Sequence, residues 1–183
     1  MYQGCELWDL SLVDPDNRRP VDFALRSRLL DDLARRAGEG PAARAELARE
    51  VSQPEAMRDG RAKLLLLHLG LQLRRDHPAL FLEGGYQPLS ADGPHADRVV
   101  AFARRRGDEA LLCVAPRLVL GLFDAADGGA PRWQGQLPLP AGLPGPLTDV
   151  VTGARHEGEA LALSDLFTGF PVTLLVHLAG GRS

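Results

Sequence analysis

Arg61-Ala62-Lys63-Leu64-Leu65-Leu66-Leu67-His68-Leu69-Gly70-Leu71-Gln72-Leu73-Arg74-Arg75-Asp76, followed by His77-Pro78, is where the sequence changes language. The run is long enough for a helix, and Asp59 stands where its carboxylate can accept free backbone N–H groups of the first turn. Seven leucines leave little polar face across its centre, and such a helix is buried on more than one side. We expect Leu64, Leu67 and Leu71 to be buried against the β-rich half, and Leu65, Leu69 and Leu73, on another side, to be left uncovered by this chain. Pro78 ends the helical half.

Upstream of this run the sequence is helical. Asp22 can cap a helix from Phe23 to about Ala37, in which Leu25, Leu29, Leu30 and Leu33 recur at helical spacing. Gly38 and Gly40 stop it, Pro41 opens a shorter helix to about Val51, and Pro54 breaks that one. Residues 1–21 have few periodic apolar positions and read as a loop. Downstream, short β-rich runs alternate with Gly, Pro and Asp. We expect strands near Tyr86–Leu89, Arg98–Arg104, Ala110–Ala115, Leu118–Phe123, Trp133–Leu139, Thr148–Val151, Ala160–Leu163 and Val172–Leu178. Turn signals fall at Asp92-Gly93-Pro94, Gly107-Asp108, Asp127-Gly128-Gly129, Gly142 to Pro146 and Gly158. Several short strands at this spacing point to an antiparallel sandwich. The fold class is α+β, with residues 1–78 helical and residues 79–183 forming the β domain.

Composition narrows the function classes. The apolar share of 45% is that of a globular protein. A net charge of −3 and the absence of a basic stripe interleaved with aromatics argue against nucleic-acid binding. No apolar run approaches the ~18 residues of a membrane helix, and no secretory leader is legible. Cys5 and Cys113 share no metal-ligand spacing and read as two thiols in a reducing compartment. The five histidines have no Glu or Cys at ligand spacing, so no metal is assigned. There is no phosphate loop and no dinucleotide fingerprint.

The chemically dense segment is the first. Tyr2-Gln3-Gly4-Cys5-Glu6-Leu7-Trp8 precedes Val13-Asp14-Pro15-Asp16-Asn17-Arg18-Arg19-Pro20-Val21-Asp22-Phe23. Tyr-x-Gly-x-Glu resembles the loop that leaves the last barrel strand in the α-amylase family of glycoside hydrolases. The longer run resembles that family's maltooligosyl trehalose synthase branch, the (1→4)-α-D-glucan 1-α-D-glucosylmutases. Asp59-Gly60-Arg61-Ala62-Lys63-Leu64, His77-Pro78-x-Leu80-Phe81 and Thr148-Asp149-Val150-Val151-Thr152-Gly153 add to the likeness.

The resemblance implies that residues 1–78 are the helical tail of a (β/α)8 barrel and that residues 79–183 are its C-terminal β-sandwich domain. It implies a C-terminal fragment, with Met1 an artificial or alternative start. The parent's implied activity, in cytoplasmic trehalose biosynthesis, converts the reducing-end α-1,4 linkage of a maltooligosaccharide to an α,α-1,1 linkage. It does so by intramolecular transglycosylation without a cofactor. Retention needs two carboxyl groups about 5 Å apart, and the motifs that carry them are absent, so no catalytic residue is assigned and the chain alone is expected to be inactive. Asn17, Arg18 and Arg19 are expected at the edge of the parent's sugar cleft, with Glu6 supporting it. The implied partners are maltooligosaccharide and the missing catalytic barrel, with self-association of the fragment in the barrel's absence. The alternative function is a stand-alone β-sandwich module that binds carbohydrate or a protein. Trp8 and Trp133 could stack on a sugar face, against the plainer reading that both are packing residues.

Overall fold

A computed structural model of the chain describes residues 4–123 and 131–179, with the side chain of Asn17 left out. The architecture is α+β, helices first and antiparallel sheet after. It divides into two compact units, residues 1–73 and 74–183.

In the first unit the predicted helices form with their predicted ends. α1 runs Phe23–Gly38, and the Asp22 carboxylate accepts the Leu25 N–H as its cap. α2 runs Pro41–Val51, with proline in its first turn. Pro54 ends α2 as expected but also opens a one-turn helix, α3, Pro54–Met57. α4 runs Arg61–Asp76, and Asp59 Oδ1 accepts the Arg61 N–H at 2.9 Å. Burial along α1 is graded. Phe23 and Leu25 are exposed, Leu29 and Leu30 half-buried, Leu33 and Ala37 buried. With Leu47, Ala48 and Val51 of α2 and Leu65 of α4 they make up much of the unit's buried apolar surface.

The expected assignment of α4's sides is corrected here. Leu64, Leu65, Leu69 and Leu73 are buried, Leu67 is half-buried, and Leu71 is 51% exposed. A helix with leucine on nearly every side has no dominant direction, so its period cannot choose which side turns inward.

The second unit opens with a short helix, α5, Pro78–Leu82, where the sequence suggested only a stop. Among the described residues eight strands follow: β1 Gly85–Leu89, β2 Val99–Arg106, β3 Glu109–Pro116, β4 Gln136–Pro138, β5 Leu147–Asp149, β6 Arg155–His156, β7 Ala160–Ala162 and β8 Thr173–His177. A further one-turn helix, α6, Leu163–Leu166, lies between the last two. Six strands form an antiparallel sheet in the order β1-β2-β3-β8-β5-β6, and β4 pairs with β7 in a separate ribbon. The chain reverses between β2 and β3 at Gly107, whose φ of +58° a side chain rarely adopts. On one face of the large sheet Ala101, Ala103, Leu112, Val114, Leu147 and Leu175 are buried. They share a core with Leu137 of β4, Leu161 of β7, and Leu163 and Leu166 of α6. α5 lies on the opposite face, where Arg104 of β2 donates to the carbonyls of Phe81 and Gly84.

The strand expected at Leu118–Phe123 does not form. Leu118 has φ +51°, Arg98 donates to its carbonyl, and Val119–Leu122 is a 3-10 helix with no buried residue. The run is apolar, but three of its six residues are leucine and one is glycine, so only Val119 and Phe123 favour a pleated surface, and no described strand lies beside it to supply one. The turn signal at Asp127–Gly129 lies outside the described residues.

Candidate functional site

Residues 4–21 form a loop whose backbone polar groups need partners from elsewhere. The structure supplies them from the first unit's own helices. Gly60 packs its α-carbon against the backbone of Leu7 and Trp8. A Cβ there would stand 2.9 Å from the Trp8 nitrogen, and its φ of +82° already favours glycine. Trp8 Nε1 donates to the Met57 carbonyl at 2.6 Å, and Lys63 Nζ donates to Leu7 O at 3.1 Å while lying 5.1 Å from the centre of the Trp8 ring. Arg26 of α1 donates to the Gly4 carbonyl at 2.7 Å. Trp8, 49% exposed, is thus a packing residue on its indole N–H side and open on the other.

Glu6 meets the same arginine, with Arg26 Nε and Glu6 Oε2 3.3 Å apart. Both atoms are buried and neither has a hydrogen bond, so the contact is Coulombic and off the hydrogen-bonding angle. The carboxylate ties the loop to α1.

Between this loop and the start of α1 lies an open cleft of about 370 Å³, lined by polar residues from both, chiefly Asp9, Asp16, Arg19, Asp22 and Arg26. The sequence-predicted residues divide around it. Arg19 lines the cleft and is paired with Asp16 at 2.6 Å. Arg18 lies outside the lining, exposed and paired with Asp14. Asn17 sits between them in a 3-10 turn, Asp16–Arg18, and Glu6 lies behind the loop on Arg26. The lining residues Asp9, Ser11, Asp22 and Arg26 were not singled out from the sequence as site residues. Their only signal was nearness to the dense Asp-Pro-Asp-Asn-Arg-Arg run.

The cleft's carboxylates are committed to local work. Asp9 accepts from the Ser11 hydroxyl and N–H, which hold its carboxyl below the usual range. Asp16 accepts from Arg19, and Asp22 caps α1. A general acid for glycosyl transfer needs a carboxyl that keeps its proton near neutrality, and Asp9 is shifted the wrong way. In the second unit, burial pushes the Asp149 carboxyl up, but its oxygens accept from Val151 N–H and the Thr152 hydroxyl inside a tight turn. No group of three or more metal-ligating side chains occurs among the described residues. Trp133 is half-buried, its ring centre 4.4 Å from that of Phe167 and edge-on to His95.

No protein-family model matches the chain. Individual proteins do. A Mycobacterium tuberculosis protein named as a maltooligosyl trehalose synthase is 41% identical over 178 residues, which is 97% of this chain and 18% of that protein; its counterpart in a second strain gives the same figures. A solved structure of a maltooligosyltrehalose synthase variant from Arthrobacter ramosus superimposes with a TM-score of 0.69 at 39% identity, over 97% of this chain and 20% of its own. A second solved maltooligosyl trehalose synthase gives a TM-score of 0.57 at 27% identity, again over 97% of this chain and 19% of its own. In sequence and in fold the chain is a relative of the maltooligosyl trehalose synthases, matched along nearly its whole length and corresponding to about a fifth of theirs.

Proposed function

We propose that this chain is the C-terminal portion of a maltooligosyl trehalose synthase. The full protein would convert the reducing-end α-1,4 linkage of a maltooligosaccharide to an α,α-1,1 linkage by intramolecular transglycosylation in the cytoplasm. Residues 1–78 would be the end of the catalytic barrel, and residues 79–183 a β-sandwich domain. The observation that carries this reading is the 41% identity maintained across 97% of the chain. The polar cleft supports it: Arg19 lines it with a planar guanidinium, held by Asp16 on one side, of the kind that suits sugar hydroxyls. In this reading Asn17, Arg18 and Arg19 border the substrate cleft, and Glu6 holds the loop through Arg26.

The 183-residue chain by itself would not turn over. Retaining transfer needs one carboxylate free to attack and one protonated carboxyl about 5 Å away. The cleft offers Asp9, Asp16 and Asp22, each occupied by a hydrogen bond from its own segment.

Incubation with maltopentaose, followed by chromatographic detection of a non-reducing product, tests both parts. The isolated chain should give none, and a full-length synthase containing this segment should give it. In that full-length enzyme Arg19→Ala should raise KM several-fold more than it lowers kcat, because it removes a binding contact. Product from the isolated chain would sink the claim of inactivity. Unchanged kinetics for Arg19→Ala would remove the cleft assignment.

A further inference from the structure

Two aromatic side chains of the β unit meet outside its core. In β2, Ala101 and Ala103 are buried in that core, so Phe102 and Arg104 stand on the opposite face of the large sheet. β1 pairs Tyr86 with Arg104, which puts the Tyr86 side chain on that face too. The Tyr86 and Phe102 ring centres are 5.2 Å apart, with the planes tilted by 31°. The Arg104 guanidinium lies 5.9 Å from the centre of the Tyr86 ring, and its Nη1 donates to the carbonyls of Phe81 and Gly84 at 2.9 and 3.2 Å. Tyr86 is thus braced by Phe102 and Arg104, yet it is 61% exposed. A ring that is open but already oriented loses little freedom when a ligand stacks on it.

The chemistry chooses the occupant. The C–H face of a pyranose suits an aromatic plane, and guanidinium donors suit hydroxyls. Both carbonyl bonds of Arg104 are made by Nη1, which leaves Nε and Nη2 as donors. Two rings tilted against each other suit a glucan whose successive sugars turn, as α-1,4-linked ones do, more than a flat β-1,4 chain. An added β-strand is the poorer occupant, because Pro88 interrupts the donors on the outer edge of β1. We infer that Tyr86 and Phe102, with Arg104 beside them, form an α-glucan-binding site in the β unit, in addition to the polar cleft of the helical unit. It holds a maltooligosaccharide by stacking and takes no part in bond rearrangement. The ligand class rests on the reading that the chain is a portion of a maltooligosaccharide-converting synthase.

Titration calorimetry of the 183-residue chain with β-cyclodextrin tests it. This ring of α-1,4-linked glucose has no reducing end, so it cannot be a substrate of the proposed reaction. Binding is expected with a Kd of about 1 mM or tighter, and cellohexaose should bind about tenfold more weakly or worse. Tyr86→Ala should weaken β-cyclodextrin about tenfold or more. Tyr86→Leu, which keeps an apolar contact with Phe102 but has no ring, should weaken it as much. Tyr86→Phe should retain it, because stacking uses the ring and not the hydroxyl. Arg19→Ala should leave it unchanged. A Tm within about 5 °C of the parent chain would show that each Tyr86 variant is folded.

Affinity that survives Tyr86→Leu but falls with Arg19→Ala would put the sugar in the cleft and overturn the inference. Equal affinity for cellohexaose, or no binding at about 10 mM β-cyclodextrin, would overturn it too. A dimer broken by Tyr86→Ala, with no sugar bound, would overturn it in favour of a second copy of the chain. None of these measurements reads product formation. A full-length synthase that makes product while the chain binds no glucan at Tyr86 keeps the proposed function and loses this site. Binding at Tyr86 with no product from the full-length protein does the reverse.

Discussion

The helical and β units differ in one apolar segment and in the setting of one acid. In the β unit Leu112, Val114, Leu137, Leu163 and Leu175 are fully buried in one cluster fed by both sheets. In the helical unit a core exists at Leu33, Leu47, Val51 and Leu65, but Leu10, Leu12, Val13 and Phe23 remain outside it. The acids follow the same division. Glu50 is bridged on the surface to Arg36 and Arg61, whereas Asp149 is buried in a turn without a cationic hydrogen-bond partner. Both units leave some large apolar side chains outside, Leu118 and Leu120 among those of the second; what separates them is the apolar loop of the first and the buried acid of the second.

The largest expected effect tests the apolar half of that contrast. Leu137→Ala should cost about 2–5 kcal/mol in urea unfolding, the range for truncating a packed leucine. Leu10→Ala should stay within about 0.5 kcal/mol in the isolated chain. Comparable losses at the two sites would break the comparison.

Next comes the anchor of the loop. Gly60→Ala places a Cβ against the Trp8 backbone at a positive φ, and a cost of about 1–3 kcal/mol is expected. In a Trp133→Phe background the emission of Trp8 should shift as the indole leaves the Met57 carbonyl. Unchanged emission and stability would show that the loop is not held by this approach.

Asp149 should give a pH signature. Burial holds its folded-state pKa above the ordinary 3.8, against the hydrogen bonds from Thr152 and Val151. The folded state therefore keeps the proton longer than the unfolded chain. The site's contribution is fully present below the unfolded pKa and is lost as pH rises through the folded value. Asn, neutral throughout, removes that slope, so Asp149→Asn should be less damaging at pH 7 than at pH 4. A difference that is constant, or larger at pH 7, would contradict this.

The smallest effect has the opposite sign with pH. The Arg36 hydrogen bond holds the Glu50 carboxyl below its ordinary 4.5. Its contribution is present above that value and is lost as pH falls through the folded pKa. The pair is solvent-accessible, so Glu50→Gln should cost only about 0.2–1 kcal/mol, less in high salt. A larger loss, insensitive to salt, would mean that the two units differ less than their surfaces suggest.

Much of this fold was legible because punctuation and period agreed. Asp22, Pro41 and Asp59 mark helix starts, and Gly107 marks the β2–β3 reversal, each for a local reason that neighbours need not supply. The misreadings fall where a neighbour decides. Leu118–Phe123 is a short apolar run of strand length with no described strand beside it. Leu163 was read as a strand end but opens α6, and β6 is only two residues long. At the cleft the sequence drew attention to Asn17, Arg18 and Arg19 as a group, yet Arg18 pairs with Asp14 outside the lining that includes Arg19. Side-chain direction within a one-turn helix is not a periodic property, so the sequence could not separate them.

The strand order has a consequence for synthesis. β8, among the last residues described, lies between β3 and β5 in the middle of the large sheet. During translation the β3 edge at Ala110–Val114 is made long before Thr173–His177 exists to pair with it. That interval is roughly 60 residues, or about 3–12 s at ordinary elongation rates. For those seconds the nascent chain presents an unpaired, leucine-bearing strand edge, the kind of template on which chains aggregate. The sheet is finished at its centre rather than at its rim, so its safe assembly depends on how quickly a ribosome reaches the final strand.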